Sequence, residues 1–179
     1  MFIQHVGYNL SSRLAEDYLY NIALINSKHK EEIEKEELAF DLVVSTLGKA
    51  YNQAKENITL APSGMNAMYG VVKGLKNIQR KNGRDILVQL GWLYLDTMNI
   101  VKHYYEQSKV FPDVKKLDLL EEYLKENGFK VSAIITEIPT NPLLLCVDMK
   151  RLNALCKKYN IPLVVDSTLA TPYNINLNN

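Results

Sequence analysis

The chain has 179 residues, of which 47% are hydrophobic and 23% are charged, a composition typical of a single globular domain. Its 21 basic and 20 acidic residues give a net charge of +1, which excludes a strong electrostatic preference for nucleic acid or an anionic membrane. The N-terminus has no basic stretch followed by an apolar core, and the longest apolar runs are too short to span a bilayer. These features predict a soluble, cytoplasmic protein without nucleic-acid or membrane partners.

The first 57 residues are predicted to form two helices, over residues 11–30 and 30–57, that precede the main domain at 58–179. The charged run over residues 28–37 is interpreted as a solvated helix face. Four apolar residues in the second helix predict that its later part packs onto a sheet: Leu38, Leu42, Leu47 and Tyr51. We therefore expect one domain overall, with an N-terminal helical segment packed on it.

From residue 58 onward, the sequence alternates between short apolar strands and amphipathic helices. Strands are predicted at 58–61, 84–90, 109–111, 130–138 and 161–166, and helices at 65–75, 96–107, 113–128 and 148–160. Asp113 and Asp148 are expected to cap the last two helices, and Gly128 to end the first of these. Short apolar strands that are each followed by a helix predict an α/β fold with a mostly parallel sheet covered on both faces.

The cysteines and histidines give no sign of a disulfide framework or a metal site. Cys146 and Cys156 form no Cys-x-x-Cys pair, and we expect both to be buried thiols in a reducing compartment. His5, His29 and His103 lie apart and have no ligand spacing with cysteines or carboxylates. No metal ligands are therefore predicted.

Ser63 and Gly64 lie at the turn between the first predicted strand and the first helix that follows it. Backbone N–H groups at a helix start have no partners within the helix and suit a phosphate. Ser-Gly is also an ordinary way to begin a helix, so both interpretations stay open. The chain contains no Gly-x-Gly-x-x-Gly or Walker motif that would indicate a nucleotide.

Three further segments lie at the ends of predicted strands. Trp92 and Tyr94 could pack in the core or provide a stacking platform for a planar ligand. Asn141 lies between two prolines, which could fix its amide or simply form a turn. Asp166 closes the last strand, where it could cap the following segment or present a carboxylate at the edge where α/β sheets bind ligands.

Taken in chain order, the segments SGM, LYLDT, TEIPTNPL and VVDST resemble the pyridoxal-phosphate enzymes of cysteine and methionine metabolism. This group includes cystathionine γ-synthase, cystathionine lyase and methionine γ-lyase, and the resemblance covers roughly residues 58–172. It implies an incomplete large domain of the aspartate-aminotransferase-like (type I) fold, with pyridoxal 5'-phosphate as cofactor. The activity implied is that of a sulfur-amino-acid lyase or γ-replacement transferase.

The resemblance also implies a role for individual residues in cofactor binding. Backbone amides at the SGM turn would bind the phosphate, Tyr94 would stack on the pyridine ring, and Asn141 would hydrogen-bond the ring hydroxyl oxygen. Asp166 would pair with the ring nitrogen and keep it protonated, so that the ring accepts electron density from a substrate carbanion. The full implied set is Ser63, Gly64, Met65, Tyr94, Asn141, Asp166 and Ser167.

The chain departs from the family pattern in one decisive respect. The family's catalytic lysine lies downstream of the aspartate in a Ser-x-Thr-Lys setting, but no lysine follows Lys158 in this chain. The family's C-terminal domain, with its carboxylate-binding arginine, is also missing. We therefore expect the chain alone to be catalytically inert and to form a homo-oligomer.

Two alternatives to a truncated enzyme stay open at this stage. One is a non-catalytic partner, either completed by a second polypeptide that carries the missing half or retained as a ligand- or protein-binding domain. The other is a generic α/β nucleotide-binding domain whose motifs match the family by coincidence.

Overall fold

The computed structural model describes residues 10–29 and 36–177 of the chain. The chain divides into two compact units, Met1–Thr46 and Leu47–Asn179. This boundary lies inside a helix, and the division expected between residues 57 and 58 stays a prediction.

The first unit contains helix α1, Ser12–Asn21, and most of helix α2, Glu36–Tyr51, which continues into the second unit. Ser11 is the N-cap residue of α1, and its hydroxyl accepts the N–H of Leu14 at 3.2 Å. Most of the charged run over residues 28–37 lies outside the described residues. Leu38 and Leu42 are 48% and 53% exposed.

The second unit alternates helices and strands, as the sequence predicts. After a 3₁₀ turn at Lys55–Asn57, its elements are α3 (Gly64–Arg80), β1 (Ile86–Leu90), α4 (Leu95–Tyr104), β2 (Gln107–Phe111), α5 (Leu117–Asn127), a second 3₁₀ turn (Gly128–Lys130), β3 (Val131–Glu137), α6 (Met149–Lys158), β4 (Leu163–Asp166) and α7 (Thr171–Asn174). The strands form one sheet in the order β2-β1-β3-β4, and all neighbouring pairs are parallel. The predicted parallel α/β sheet with flanking helices is confirmed.

The strand predicted at residues 58–61 does not form. Ile58 has extended backbone angles, with φ −112° and ψ 121°, but the segment pairs with none of the four strands. A strand is stabilised by hydrogen bonds to a neighbour, and an apolar segment without one stays irregular. The prediction was therefore wrong for this chain, although the extended conformation is retained at Ile58.

The two central strands, β1 and β3, are buried on both faces because their side chains alternate between two apolar clusters. On one face, Val88 and Ile134 pack with α5 and α6 in a cluster that also includes Leu120 and Leu152. On the other face, Leu87, Ala133 and Ile135 pack with α3 and α4 in a cluster that also includes Met68, Val72 and Val101. Each fully buried Leu, Ile or Val side chain contributes about 1.5–3 kcal/mol relative to exposure. This burial on both faces explains why the sequences of these two strands are nearly continuous apolar runs.

The predicted helix caps were right in two of three cases. Asp148 caps α6, and its carboxylate accepts the N–H of Arg151 at 3.0 Å. Gly128 follows the last residue of α5, where a Cβ atom would lie 2.9 Å from Cδ1 of Tyr159. Asp113 was predicted wrongly, because α5 begins only at Leu117 and the Asp113 carboxylate instead accepts the N–H of Lys115 in the preceding turn.

We predict that Asp148→Ala lowers the free energy of unfolding by about 1 kcal/mol, because the first turn of α6 loses its side-chain cap. Asp113→Ala is the matched control, since it removes one turn hydrogen bond and an exposed ion pair with Lys116, and should cost less than about 0.5 kcal/mol. Urea denaturation of both variants measures the difference. Equal losses in the two variants would contradict the assignment of Asp148 as the cap.

The two cysteines differ in exposure, contrary to the prediction that both are buried. Cys156 lies in the core, and burial raises the pKa of its thiol to about 11. Cys146 is exposed, because the apolar run around it forms a surface loop between β3 and α6 in which Leu143 and Leu144 are 63% and 64% exposed. An apolar run alone did not distinguish a core segment from this loop.

Candidate functional site

The carboxyl ends of the four parallel strands lie at one edge of the sheet. The N–H of Gly91, just after β1, donates to the carbonyl oxygen of Phe111 at the end of β2, at 2.7 Å. In the ladder between β3 and β4, the last residues, Glu137 and Asp166, are direct neighbours. Parallel α/β sheets bind ligands at this edge, so it is where a site is expected.

Asp166 is half-buried at the end of β4, and a short turn holds its carboxylate. Its Oδ1 atom accepts the N–H of Thr168 at 3.0 Å and the hydroxyl of Thr168 at 2.5 Å. Among the described residues both bonds reach Oδ1, so Oδ2 is the oxygen left to contact a ligand. Asp166 therefore caps a turn and no helix, since α7 begins at Thr171 with Ala170 as its N-cap.

Ser167 follows Asp166 and is half-buried. Its carbonyl oxygen accepts the N–H of Thr171 at 2.8 Å, which ties the turn after β4 to the start of α7. Its predicted part in cofactor binding stays a prediction.

Glu137 is a buried acid at the same edge that the sequence analysis did not single out. Its side chain is only 6% exposed, and its carboxylate accepts the backbone N–H of Tyr94. Burial raises the pKa of Glu137; the Tyr94 N–H opposes this, the nearby Asp166 carboxylate raises the pKa further, and the Asn141 N–H lowers it. The signal was present in the sequence, because Glu137, like Asp166, is an acid that ends a buried strand.

Tyr94 is the N-cap residue of α4, directly after the turn that follows β1. In this turn Leu93 is the core residue, at 3% exposure, whereas Trp92 and Tyr94 are 56% and 36% exposed. The alternative that Trp92 and Tyr94 form part of the core is therefore wrong. A ring at the surface beside the carboxyl edge is compatible with stacking, which stays a prediction.

Asn141 is exposed in a tight loop between β3 and α6 that is closed at Thr140. The N–H groups of Leu144 and Leu145 donate to the backbone and side-chain oxygens of Thr140 at 2.7 and 3.1 Å, and the Thr140 N–H donates to Leu145 at 2.9 Å. The peptide bonds before Pro139 and Pro142 are both cis. The loop thus holds the Asn141 backbone in place while its side chain stays at the surface.

Ser63, Gly64 and Met65 form the start of α3. The hydroxyl of Ser63 accepts the N–H of Asn66 at 3.2 Å, while Gly64 and Met65 supply N–H groups that have no acceptor within the helix. No acidic residue lies in the first turn, and a Cβ atom at Gly64 would meet no atom within 4 Å. This helix start is open to an anion, as the phosphate interpretation requires.

The structure brings three of the predicted segments together and places the fourth on the same side of the sheet. Glu137 is linked to Tyr94 by a hydrogen bond and to Asp166 by strand register. The Asn141 loop directly follows Glu137, and its Thr140 lies beside the turn that leads to Tyr94, with Cγ2 3.1 Å from a Cβ atom built on Gly91. Helix α3 has 17 residues and is about 25 Å long, whereas the five residues of β1 span about 17 Å. Because α3 ends where β1 begins and packs on the sheet, its first turn lies toward the carboxyl edge.

One cavity lies away from this site, and the described residues contain neither a metal-binding cluster nor a membrane-spanning helix. A cavity of about 860 Å³ lies at the opposite edge of the sheet, where Arg84, Asn160 and Leu163 precede or begin β1 and β4. Within residues 10–29 and 36–177, no three His, Cys, Asp or Glu side chains are grouped to hold a metal ion. In the same residues, no helix has the length and apolar character needed to cross a membrane.

Comparison with known proteins identifies the protein family to which this chain belongs. Residues 41–177 match the family of Cys/Met metabolism PLP-dependent enzymes. The chain is a member of this family. The family's dependence on pyridoxal 5'-phosphate identifies the cofactor, and the alternative of a nucleotide-binding domain with coincidental motifs is set aside.

Two sequence relatives in the family show how much of a complete enzyme the chain represents. It is 36% identical to L-2-amino-4-chloropent-4-enoate dechlorinase/desaturase of Streptantibioticus cattleyicolor over 178 residues, which is 98% of this chain and 35% of the relative. It is also 36% identical to cystathionine gamma-synthase of Neurospora crassa over 131 residues, or 70% of this chain and 21% of the relative. The chain therefore spans about a third or less of the length of these relatives.

Solved structures confirm the aspartate-aminotransferase-like fold. The chain matches a putative O-acetylhomoserine (thiol)-lyase of Campylobacter jejuni with a TM-score of 0.51 and 25% identity, over 64% of this chain and 27% of the enzyme. That structure contains a pyridoxyl-lysine phosphate group. An omega-transaminase of Sphaerobacter thermophilus, with a TM-score of 0.52, 14% identity and coverage of 89% and 41%, shows the fold alone. The chain is thus part of a large domain of this fold.

The residues at the carboxyl edge fit the cofactor of the family. Pyridoxal phosphate needs donors for an anionic phosphate, an acceptor for its ring nitrogen and a surface for its flat ring. The open helix start at Gly64, the Oδ2 atom of Asp166 and the exposed ring of Tyr94 provide these three kinds of group. The donor set therefore suits pyridoxal phosphate chemically.

Proposed function

We propose that this chain provides the phosphate- and ring-binding part of a pyridoxal-phosphate enzyme that eliminates or replaces a leaving group on an amino acid, with sulfur amino acids as the first candidate substrates. The observation that carries the proposal is the gathering of three segments at the ligand edge of the sheet: Tyr94 donates to Glu137, Asp166 pairs with Glu137 in register, and the Asn141 loop follows Glu137 and lies beside the turn at Gly91. Membership of the Cys/Met metabolism family supports the substrate class.

Each residue at this edge has a role in holding the cofactor. Bound pyridoxal phosphate supplies an electron sink for the negative charge that develops at the substrate α-carbon. Asp166 holds a proton on the ring nitrogen through Oδ2, and Tyr94 covers one ring face and excludes water from it. Asn141 donates its side-chain amide to the ring oxygen. The N–H groups of Gly64 and Met65 bind the phosphate, together with Ser63, and the half-buried Ser167 follows Asp166 in the turn after β4.

The proton-transfer group of the reaction is not among these residues. No lysine follows Lys158 in the 179 residues, and Lys157 and Lys158 lie at the end of α6, in the last turn before β4. Another stretch of polypeptide must supply the lysine, either in a longer form of this chain or in a second subunit. We propose that the 179-residue chain alone is inert; its cytoplasmic location also stays a prediction.

Two measurements on the purified chain test this proposal. Pyridoxamine 5'-phosphate carries an amine in place of the aldehyde and needs no lysine, so calorimetry should detect its binding to the chain, with inorganic phosphate as a weaker competitor. Incubation with pyridoxal phosphate and cystathionine should release no ammonia or thiol. Absence of pyridoxamine phosphate binding would contradict the cofactor roles, and turnover by the isolated chain would contradict its proposed inertness.

A second candidate reaction is elimination of a halide. The Streptantibioticus relative matches 98% of the chain, including residues that precede the family match at residue 41. Its name describes a chlorine at C4 of an amino acid, which is the γ position where a sulfur substituent also leaves in γ-elimination. In the form that contains the lysine, chloride release from a 4-chloro amino acid would favour this candidate, and thiol release from cystathionine would favour the first.

The exposed edge of β4 favours association with further polypeptide. Within the described residues β4 pairs only with β3, and Leu163, Val164 and Val165 are half-buried. An apolar strand with one unpaired edge invites pairing with another strand. We propose that the chain associates with itself or with a polypeptide that carries the rest of the sheet. Light scattering that finds a monomer at high concentration, together with no such partner in a pull-down, would contradict this.

A further inference from the structure

Two hydrogen bonds from one residue hold the carboxylate of Asp166. Thr168 donates its backbone N–H to Oδ1 at 3.0 Å and its hydroxyl to the same oxygen at 2.5 Å. The main chain of Asp166 is fixed separately, because its carbonyl oxygen accepts the N–H of Ile138, just after β3, at 2.9 Å. The backbone bond thus sets where Asp166 lies, and the two bonds from Thr168 set which way its carboxylate turns.

The surroundings of Asp166 explain why its carboxylate needs such a restraint. Its register partner on β3 is Glu137, a second acid, and two neighbouring carboxylates repel each other when both are ionised. On its other side, β4 pairs with no strand among the described residues. The terminal torsion of an aspartate has a broad energy profile, so a half-buried carboxylate samples several orientations unless donors hold one of its oxygens. Thr168 supplies these donors from the turn that directly follows β4.

We propose that Thr168 is a positioning residue, whose hydroxyl holds Oδ1 of Asp166 in the turn and so presents Oδ2 to the ring nitrogen of pyridoxal phosphate. The contact with the cofactor rests on the proposed function, whereas the restraint on Asp166 is independent of it. A carboxylate that is already oriented does not have to be immobilised when the ring binds. Without the hydroxyl, cofactor affinity falls although no group that contacts the cofactor has changed.

Two substitutions at Thr168 separate the hydrogen bond from the shape of the side chain. Thr168 is exposed, so neither substitution alters the core. Valine has nearly the same shape as threonine but no hydroxyl, and it keeps the backbone N–H that bonds Oδ1. Serine lacks the methyl group but keeps the hydroxyl. A positioning role therefore predicts a defect in Thr168→Val and native behaviour in Thr168→Ser.

NMR scalar couplings of the isotopically labelled chain test the restraint without any cofactor, because they report the side-chain rotamers of Asp166. The native chain and Thr168→Ser should show one dominant χ1 rotamer of Asp166, and Thr168→Val should show a mixture. A mixture of rotamers in the native chain would overturn the proposal. One dominant rotamer retained in Thr168→Val would overturn it as well.

Calorimetry with pyridoxamine 5'-phosphate tests the consequence for binding. Thr168→Val should lower the affinity about two- to tenfold, which is the range expected when one side chain must be immobilised on binding. Thr168→Ser should bind with native affinity. Thr46→Val is the matched control, since it removes a hydroxyl that donates to a carbonyl oxygen of its own helix, α2, and it should leave the affinity unchanged. Unchanged affinity in Thr168→Val would contradict the positioning role.

The double variant with Asp166→Ala decides whether Thr168 acts through Asp166. Asp166→Ala leaves no carboxylate to orient, so the addition of Thr168→Val should cause no further loss of affinity. An equal loss in the native and Asp166→Ala backgrounds would show a purely structural role and overturn the proposal. If the native chain does not bind pyridoxamine phosphate, the proposed function fails, and the rotamers of Asp166 still decide whether Thr168 orients its carboxylate.

Discussion

Asp166→Asn should lower the affinity for pyridoxamine 5'-phosphate by roughly 10- to 100-fold while the fold stays intact. A hydrogen bond to a charged group is worth about 1.5–3 kcal/mol, and each 1.4 kcal/mol is a factor of ten in affinity. Asparagine keeps an oxygen at the Oδ1 position, so the bonds from Thr168 at 3.0 and 2.5 Å can persist. The loss should therefore fall on the ring nitrogen, which no longer faces a negative charge.

Asp85→Asn provides the matched control for this variant. It makes the same change of charge and size just before β1, at the opposite edge of the sheet from Asp166. Calorimetry should find native affinity in the Asp85 variant and weak binding in the Asp166 variant, with midpoints of thermal unfolding close to that of the native chain. Equal affinities in the two variants would show that Asp166 does not contact the ring.

Gly91→Ala should lower the free energy of unfolding by about 2–5 kcal/mol. Gly91 has φ +83°, where a side chain costs about 1–2 kcal/mol, and a Cβ atom would lie 2.7 Å from Cγ1 of Val114 and 3.1 Å from Cγ2 of Thr140. Overpacking of a buried site of this kind adds about 1–3 kcal/mol. Because Gly91 begins the turn that leads to Tyr94, the same substitution should also weaken pyridoxamine phosphate binding.

Gly83→Ala separates the two causes of this destabilisation. Gly83 has φ +73°, but a Cβ atom at this position would meet no other atom within 4 Å, so alanine there has only the backbone cost of about 1–2 kcal/mol. Urea denaturation of both variants gives the steric part as the difference between them. A Gly91 variant no less stable than the Gly83 variant would mean that the turn relaxes away from Val114 and Thr140.

Local patterns predicted most elements of the second unit because each element buries a face of its own. Leu120 and Leu124 recur at helical spacing and lie in one core cluster, as the sequence indicates. The strands at β1 and β3 were predicted from continuous apolar runs, and both are fully buried. Residues 58–61 and the run around Cys146 have a similar apolar composition. However, the first does not form a strand and the second is exposed at the surface. Apolar composition predicts burial only where a neighbouring element is available to pair or pack.

The sequence by itself determined the family, the parallel α/β fold and the chain positions of the candidate site, because strand ends, helix starts and short motifs are local features. Only the tertiary structure decided how the site residues are connected. Tyr94 and Asp166 are far apart in sequence, and the group that links them, Glu137, is recognised by one hydrogen bond and one register pair. Such contacts arise when β1, β3 and β4 are aligned in one sheet, and no single segment encodes that alignment.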